Sequence, residues 1–310
     1  MRVLSLLSAL PLAIVAVPSM PSKFILGVWL DTDTPAGFNA KMGRKMPSFE
    51  AAVSIPYAVV NGTVQLDPLP GQDARYLSNA FSWNDNSDAS LFMTVYADQT
   101  NGNQQGMDLV TDDAITHLAN RLHSVQQMGR QVYMRWLPEM SGAWMLYGQQ
   151  PDAYVALWNR MGAIFRQVAP EVMLVWSPNY DTRDNSYWPG PQYVDWIGSS
   201  CYWKGWGVNG LIDQSYAMDT VSFIYQNYAA VYNLPFVISE ASGSWESGPG
   251  VSPVTGESFT SVTNQVDQAT FQTSFWSGIL APEVMAQYPL LKAAYIFEVA
   301  KTEEFFSDFR

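Results

Sequence analysis

The sequence predicts an α/β protein folded as a single (β/α)8 TIM barrel, and three observations support this prediction. Eight β-rich apolar segments alternate with longer amphipathic stretches, which is typical of strands and helices that build a parallel sheet. Several of these segments are continuous apolar runs, as expected of strands buried on both faces. The chain has 310 residues, and a TIM barrel typically takes about 250 as one domain.

The number of predicted strands, eight, is the number that a closed barrel needs. In chain order they are Phe24–Leu30, Ala51–Val59, Leu91–Tyr96, Val132–Leu137, Val172–Trp176, Tyr193–Tyr202, Phe236–Ser239 and Ala293–Phe297. No linker divides the chain, and no repeat of fixed period appears. Residues 19–310 are therefore predicted to form one domain.

Two of the connections read clearly as helices. Residues 112–127 carry apolar side chains at helical spacing, with Thr111 or Asp112 as the predicted N-cap and Gly129 as the stop. Residues 154–168 repeat the pattern. Both stretches lie between predicted strands, as the barrel requires.

A long irregular segment follows the seventh predicted strand. Residues 243–263 are rich in Gly, Ser, Pro and Thr, and a helical stretch over residues 265–279 comes next. We expect residues 243–263 to form a long surface loop at the mouth of the barrel.

Charge and composition exclude several classes of partner. The chain has 16 Lys+Arg against 28 Asp+Glu, a net charge of −12, so no basic excess exists to neutralise nucleic acid or an anionic membrane surface. It also has 12 Trp, 16 Tyr and 15 Phe, whose flat apolar faces suit sugar rings as well as a core. A neutral or cationic partner is therefore predicted.

The N-terminal residues predict secretion. Arg2 followed by the apolar run Val3–Val17 is typical of a secretory signal peptide over residues 1–18. The apolar run is too short for a helix that spans a bilayer. Cys201 is the only cysteine, so a secreted domain would depend on its core rather than on disulfides. Asn61 begins a possible N-glycosylation triplet, Asn-Gly-Thr. We expect an extracellular protein.

Two glutamates stand directly after predicted strands, where barrel enzymes place their catalytic groups. Glu139 follows the fourth strand and Glu240 the seventh, each before a Gly-containing loop. Retaining glycoside hydrolysis needs two carboxyl groups about 5–5.5 Å apart, one to protonate the leaving oxygen and one to attack the anomeric carbon. Either glutamate alone could be a surface acid in a turn, but the pair predicts this chemistry.

Five segments, taken in order across roughly residues 90–310, form a further pattern. They are Arg135 to Trp144, Tyr154 to Trp158, Val175 to Asn179, Tyr193 to Gly198 and Ile238 to Glu240. Together they resemble glycoside hydrolase family 26, which contains mainly endo-β-1,4-mannanases, with some β-1,3-xylanases and mixed-linkage glucanases. The resemblance implies a (β/α)8 barrel that cleaves β-glycosidic bonds with retention. It implies Glu139 as acid/base and Glu240 as nucleophile. It also implies that Tyr202 donates a hydrogen bond that keeps Glu240 ionised and oriented.

Arg135 shares the inward side of its strand with Leu137 and Glu139 by strand alternation. A buried arginine must be paired, and Glu240 or another inward acid is the natural partner. A structural ion pair deep in the barrel and a direct substrate contact both remain open. Trp144 belongs to an apolar neighbourhood in sequence that could desolvate Glu139 and raise its pKa, as an acid catalyst requires.

Other side chains near strand ends could contact a sugar. Trp176 and Asn179 end the fifth strand, and Trp203 and Trp206 follow the sixth. Each is predicted as a sugar platform or polar contact, with an ordinary structural role as the alternative. Three aspartates after the first and third strands are possible subsite residues, with a solvated loop as the alternative: Asp31, Asp33 and Asp98.

Two positions depart from the family's pattern. The family usually has His immediately before its acid/base glutamate, where this chain has Pro138. It also tends to carry Trp late in strand eight, where this chain has Ile296 or Phe297. A remodelled −1 subsite is expected, and the preference for mannan is left open.

Competing chemistries lack the necessary residues. Both histidines, His117 and His123, lie on the helix before the fourth strand, so neither a His-based metal site nor a Ser-His-Asp triad is easily assembled. The sequence has no G-x-G-x-x-G after its first strand and no P-loop, so it predicts no nucleotide cofactor and no metal. Cys201 has no histidine partner and is predicted to be a buried structural thiol.

The sequence therefore predicts a secreted, monomeric endo-β-glycosidase that acts on a plant or cell-wall polysaccharide or its oligosaccharides. β-1,4-Mannan is the first candidate, with β-1,3- or mixed-linkage glucan or β-1,3-xylan as alternatives. The competing class is a carbohydrate-binding protein that kept the barrel but not the turnover. Two glutamates at matched strand ends favour the enzyme, because a binding module needs no such pair.

Overall fold

The computed structural model describes residues 20–30, 33–67, 87–183, 185–251 and 258–298. The predicted signal peptide and Asp31 lie outside the described residues. Among the described residues, no helix is both long and apolar enough to cross a membrane.

Eight parallel strands close into a barrel, in which each strand pairs with the next along the chain and the last with the first. This confirms the predicted (β/α)8 fold, and all eight predicted strands are present with shifted ends. Their bounds are β1 Ile25–Leu30, β2 Ser48–Ser54, β3 Ser90–Tyr96, β4 Val132–Trp136, β5 Met173–Trp176, β6 Trp196–Lys204, β7 Phe236–Ser244 and β8 Leu291–Glu298.

Helices connect most of the strands on the outside of the barrel. Thr111 caps α2 by accepting the Ala114 backbone N–H, as predicted for this position. The helices of the described part of the chain are α1 Pro35–Met42, α2 Asp112–Gln127, α3 Pro151–Val168, α4 Tyr216–Ile224, α5 Gln268–Leu280 and α6 Pro282–Gln287. A π-helical turn, Tyr225–Ala229, and a final turn, Ala230–Tyr232, extend α4.

The connection between β5 and β6 differs from the others. Its described residues contain one 3-10 turn, Pro191–Tyr193, in place of an α-helix. Aromatic side chains cover the outside of the barrel here. Trp176 of β5 packs against Trp188 at 4.9 Å and Tyr228 at 4.6 Å between ring centroids.

The inside of the barrel is filled by the inward side chains of successive strands. Seven of these side chains form one apolar layer across the barrel: Phe92, Tyr133, Val175, Trp196, Val237, Ala293 and Tyr295. Gly27 of β1 is required by this packing, because a Cβ there would lie 2.1 Å from the Tyr295 ring. The layer forms a solid floor, so only the side chains beyond it, toward the carboxyl ends of the strands, can line a site.

The described part of the loop predicted over residues 243–263 is more regular than expected. Strand β7 continues to Ser244 rather than ending at Ser239, because its residues keep pairing with the long β6. Farther on, Thr263–Asn264 pairs with Val208–Asn209, which ties this segment to the connection after β6. Two connections at the barrel mouth therefore brace each other.

Candidate active site

Glu139 lies in a tight turn at the carboxyl end of β4. Leu137 and Glu139 both adopt positive φ values, 41° and 55°, which are uncommon for residues other than glycine and often mark functional sites. Backbone N–H groups hold the turn, with Leu137 donating to Val95 at 3.0 Å and Glu139 to Ser177 at 3.0 Å. Tyr147 donates its hydroxyl to the Pro138 carbonyl at 2.8 Å. Strands β3 and β5 thus fix the direction of the Glu139 side chain.

Both carboxyl oxygens of Glu139 accept hydrogen bonds. Ser200 Oγ donates to Oε1 at 2.5 Å, and Trp144 Nε1 donates to Oε2 at 3.1 Å. Burial raises the pKa of Glu139, and the nearby charge of Glu240 raises it further, while Arg135, Ser200 and Trp144 oppose the shift. The net effect favours a protonated carboxylic acid.

A β-bulge places Glu240 inside the barrel. Ser199 of β6 pairs with Ile238, but the next residue, Ser200, pairs with Glu240, so Ser239 is an extra residue on β7. Ser239 Oγ lies 2.8 Å from Ser177 Oγ. Ser177 and Glu240 both accept hydrogen bonds from Arg135, so all four side chains belong to one hydrogen-bond network. The bulge lets two consecutive residues of β7 face this network.

Glu240 is held by two donors, one on each carboxyl oxygen. Arg135 Nη1 donates to Oε1, and the Tyr202 hydroxyl donates to Oε2. The Glu240 side chain is only 11% exposed. The ion pair with Arg135 and the Tyr202 hydroxyl together fix the position of the carboxylate.

Arg135 connects the two glutamates. Its Nη2 donates to Ser200 Oγ at 3.1 Å, and Ser200 in turn donates to Glu139, while Nη1 binds Glu240. Nε donates to Ser177 at 3.0 Å. The side chain is fully buried, so of the two roles left open by the sequence the structure supports a buried ion pair. Burial opposes the charge of Arg135, but the carboxylates, Glu240 foremost, outweigh it and raise its pKa.

An aromatic wall stands beside this network. By strand alternation Trp29, Tyr202 and Phe297 point inward near the carboxyl ends of β1, β6 and β8. Phe297 lies 5.8 Å from Tyr202, perpendicular to it, and 5.6 Å from Trp29. Ile296 instead packs on the outer side with Val28 and its neighbours. Phe297 is therefore the side chain of β8 that faces the site.

Two of the predicted sugar platforms, Trp176 and Trp203, face the outer side of the barrel. Trp176 is 0% exposed and faces the outer layer, where its indole N–H donates to the Tyr187 carbonyl at 3.1 Å. Trp203 follows the inward Tyr202, so alternation turns it outward, and its ring packs perpendicular to Tyr216 at 4.6 Å. In both strands the inward positions belong to the residues on either side.

Three further candidates either have local hydrogen-bond or ion-pair partners or lie at the surface. Asn179 is 7% exposed and organises its own turn, since its side chain accepts the Asp181 N–H at 3.2 Å. Asp33 pairs with Lys41 at 2.7 Å beside α1, and Asp98 is exposed.

The other singled-out residues lie away from the glutamates. His117 and His123 are on α2, where they pair with Asp67 and Glu171. Cys201 is buried, which raises its pKa to about 12.

Sequence reasoning missed Glu50, Ser177, Ser200, Ser239 and Trp29. Period-two alternation could have found Ser200, which is two residues before Tyr202 on β6. The second strand is predicted to begin at Ala51, one residue after Glu50, whereas in the structure it begins at Ser48. The inward glutamate thus fell outside the predicted strand.

Comparison with known families agrees with this geometry. The family described as Glycosyl hydrolase family 26 matches residues 56–245. This is more than half of the chain, and it includes both Glu139 and Glu240. The chain belongs to glycosyl hydrolase family 26.

One relative of known function matches part of the chain. Mannan endo-1,4-beta-mannosidase A and B of Caldalkalibacillus mannanilyticus is 30% identical over 102 residues, which are 29% of this chain and 20% of that protein. The chain thus matches about a fifth of the length of this relative.

Solved structures share the fold. The catalytic domain of a family 26 endo-beta-1,4-mannanase of Bacillus sp. JAMB-750 has a TM-score of 0.59 at 13% identity, over 89% of this chain and 77% of that chain. A xylanase of Paenibacillus barcinonensis has a TM-score of 0.58 at 12% identity, over 93% of this chain and 90% of that chain. At these identities the likeness is one of fold alone, and it does not distinguish between substrates.

Proposed function

We propose that this member of family 26 is a retaining endo-β-glycosidase that hydrolyses a neutral polysaccharide, with β-1,4-mannan as the first candidate. The observation that carries the proposal is the pair of glutamates, Glu139 after the end of β4 and Glu240 at the bulge within β7, which are joined through one buried arginine but have different partners. Glu139 has a raised pKa and two neutral hydrogen-bond partners, whereas Glu240 has an ion pair. Such a division separates a general acid from a nucleophile.

In the first step the Glu240 carboxylate attacks the anomeric carbon while Glu139 gives its proton to the departing glycosidic oxygen. The glycosidic bond breaks and a covalent glycosyl-enzyme forms. Negative charge leaves Glu240 and appears on Glu139. Arg135 contacts Glu240 directly and Glu139 through Ser200, so its charge stabilises both distributions.

In the second step Glu139 acts as a base. It takes a proton from a water molecule, whose oxygen attacks the anomeric carbon and displaces Glu240. Two inversions restore the β configuration and both starting protonation states. Tyr202 donates to Glu240 in the resting state, and this hydrogen bond orients the carboxylate for attack.

The substrate assignment depends on the relatives and on the site's chemistry. Two of the matched proteins are named as endo-mannanases. The aromatic wall of Trp29, Tyr202 and Phe297 offers apolar faces for sugar C–H groups. A net charge of −12 favours an uncharged polysaccharide over a polyuronate.

We also propose that the protein is extracellular and monomeric. The basic and apolar start of the chain supports export. A polymeric substrate is too large to enter a cell, which agrees with that location.

The first experiment is release of reducing sugar from a panel of mannans, xylans and β-glucans by the purified protein. Glu240→Gln is run alongside, because it keeps the shape of the nucleophile but not its charge. We expect cleavage of mannan by the wild type and an activity lower by several orders of magnitude in the variant. The variant should still unfold cooperatively, at a lower temperature because Arg135 loses its ion-pair partner. Binding without cleavage of any polymer would instead identify a carbohydrate-binding protein.

A further inference from the structure

Glu50 is a third inward glutamate, beneath the two described above. It lies in β2, and its side chain is 0% exposed. Oε1 accepts the Thr94 hydroxyl at 2.6 Å and lies 3.8 Å from Arg135 Nη1. Oε2 is buried and has no hydrogen-bond partner among the described residues. The environment is thus poor in donors on one side of the carboxyl group.

The only guanidinium near Glu50 in the described structure is already engaged. Arg135 Nη1 binds Glu240, Nη2 donates to Ser200, and Nε donates to Ser177. The distance of 3.8 Å from Nη1 to Glu50 is beyond a hydrogen bond. One positive charge cannot neutralise two buried carboxylates, so an ionised Glu50 would be an uncompensated charge in the barrel floor.

The other groups around Glu50 offer no second cation. Thr94 and Tyr96 face it from β3, Arg135 from β4, Glu240 from β7 and Tyr295 from β8. Burial raises the pKa of both tyrosines well above the ordinary value, so they are neutral. Burial likewise raises the pKa of Glu50, Arg135 lowers it and Glu240 raises it, with a net shift well upward.

We infer that Glu50 is a neutral carboxylic acid in the native protein and supports Arg135 from below without competing with Glu240 for its charge. The one guanidinium of the cluster, Arg135, then balances its direct ion-pair partner Glu240 rather than two buried carboxylates. The importance of this balance for catalysis rests on the proposed function. The proton on Glu50 does not, and it can be measured in a protein that cleaves nothing.

The first test is the pH dependence of stability in the wild type and in Glu50→Gln, by reversible denaturant unfolding. A proton held only by the folded state is released on unfolding, so stability falls as pH rises above about 4.3, the ordinary pKa of glutamate. The folded-to-unfolded ratio of the wild type, relative to the variant, should fall about tenfold per pH unit. Glu171→Gln, at an exposed position, is the control and should show no such slope.

The second test is infrared spectroscopy at neutral pH, which detects the C=O stretch of a protonated carboxyl group. Glu50→Gln should remove one such band. Thr94→Val deletes the hydrogen bond to Glu50 Oε1 without changing the shape of the side chain, so we expect it to shift that band. This variant still tests the inference if Glu50→Gln does not fold. Glu139→Gln identifies the band of the other raised carboxyl.

The outcomes separate this inference from the proposed function. A flat stability difference, or a spectrum in which no band responds at Glu50 or Thr94, would overturn the neutral Glu50 even in an active enzyme. An inactive protein that shows the slope and the band would retain the neutral Glu50 and refute the proposed glycosidase.

Discussion

At the scale of single residues, Tyr202 contributes a hydroxyl group and an aromatic ring to the site. Its hydroxyl donates to Glu240 Oε2, while its ring packs against Phe297. A hydrogen bond to a charged group contributes about 1.5–3 kcal/mol, and this one is lost in Tyr202→Phe while the ring remains. We expect kcat/KM to fall about 10- to 100-fold, since about 1.4 kcal/mol corresponds to tenfold.

The matched control for this substitution is Tyr228→Phe. It removes a hydroxyl that bonds to Asn185 at 2.7 Å, in the outer aromatic cluster rather than at the site. Steady-state kinetics on the preferred polymer compares the two variants. Equal losses in both would mean that Tyr202 acts through stability and not through Glu240.

The pH profile reports on Glu139. Trp144 is 60% exposed and donates to Glu139 Oε2, and a hydrogen bond to the carboxylate favours the ionised form. Trp144→Phe removes this donor, so the pKa of Glu139 rises and its proton is kept to higher pH. The basic limb of kcat/KM should therefore move to higher pH, by less than about one unit.

Trp188→Phe serves as the control for this shift, since its indole donates to Tyr232 on the outer surface. Its pH profile should match the wild type. Movement of the basic limb to lower pH in Trp144→Phe would show that Glu139 is not the proton donor.

At the scale of elements, a buried glutamate joins the connections that follow β6 and β7. Glu246 is 1% exposed, and its carboxylate accepts the backbone N–H groups of Trp206, at 2.6 Å, and Gly207. Both residues have positive φ, 51° and 94°. Asn209 completes the brace by donating to the Glu246 carbonyl at 2.8 Å.

Removing this brace should destabilise the protein. Glu246→Ala leaves two N–H groups without their acceptor, and each such loss costs about 1–3 kcal/mol. We expect a decrease of about 2–5 kcal/mol in the free energy of unfolding, measured by denaturant titration. Glu171→Ala, at an exposed position, should change stability by less than about 0.5 kcal/mol. A similar small change in Glu246→Ala would contradict the brace.

The elements also show where sequence reasoning reaches its limit. Strand alternation correctly predicts that the Arg135 side chain points inward, because β4 is regular up to Trp136. The same rule could not anticipate the bulge at Ser239, since a bulge depends on pairing with β6 rather than on local sequence. Applied to Trp176 and Trp203, alternation turns both side chains outward, which their position near a strand end alone does not reveal.

At the scale of the whole molecule, the barrel was predictable because every strand contributes an apolar segment of its own. The network around Arg135 was less predictable from the sequence, because its members come from five strands and meet only when the barrel closes. Glu50, Ser177 and Ser200 are unremarkable in sequence, and only their shared contacts with Arg135 distinguish them. The fold follows from local patterns, and the electrostatics of the site from the closed assembly.

Trapping the covalent intermediate tests the central proposal most directly. The protein is incubated with an activated 2-deoxy-2-fluoro glycoside of the sugar that the polymer panel identifies, and the labelled peptide is located by mass spectrometry. We predict one glycosyl group on Glu240, none in Glu240→Gln, and a label in Glu139→Gln that forms but is released more slowly, because the activated leaving group needs no acid whereas hydrolysis of the intermediate needs the base. A label on another residue, or cleavage of the polymer with inversion and no label, would contradict the assignment of Glu240 as the nucleophile of a retaining glycosidase.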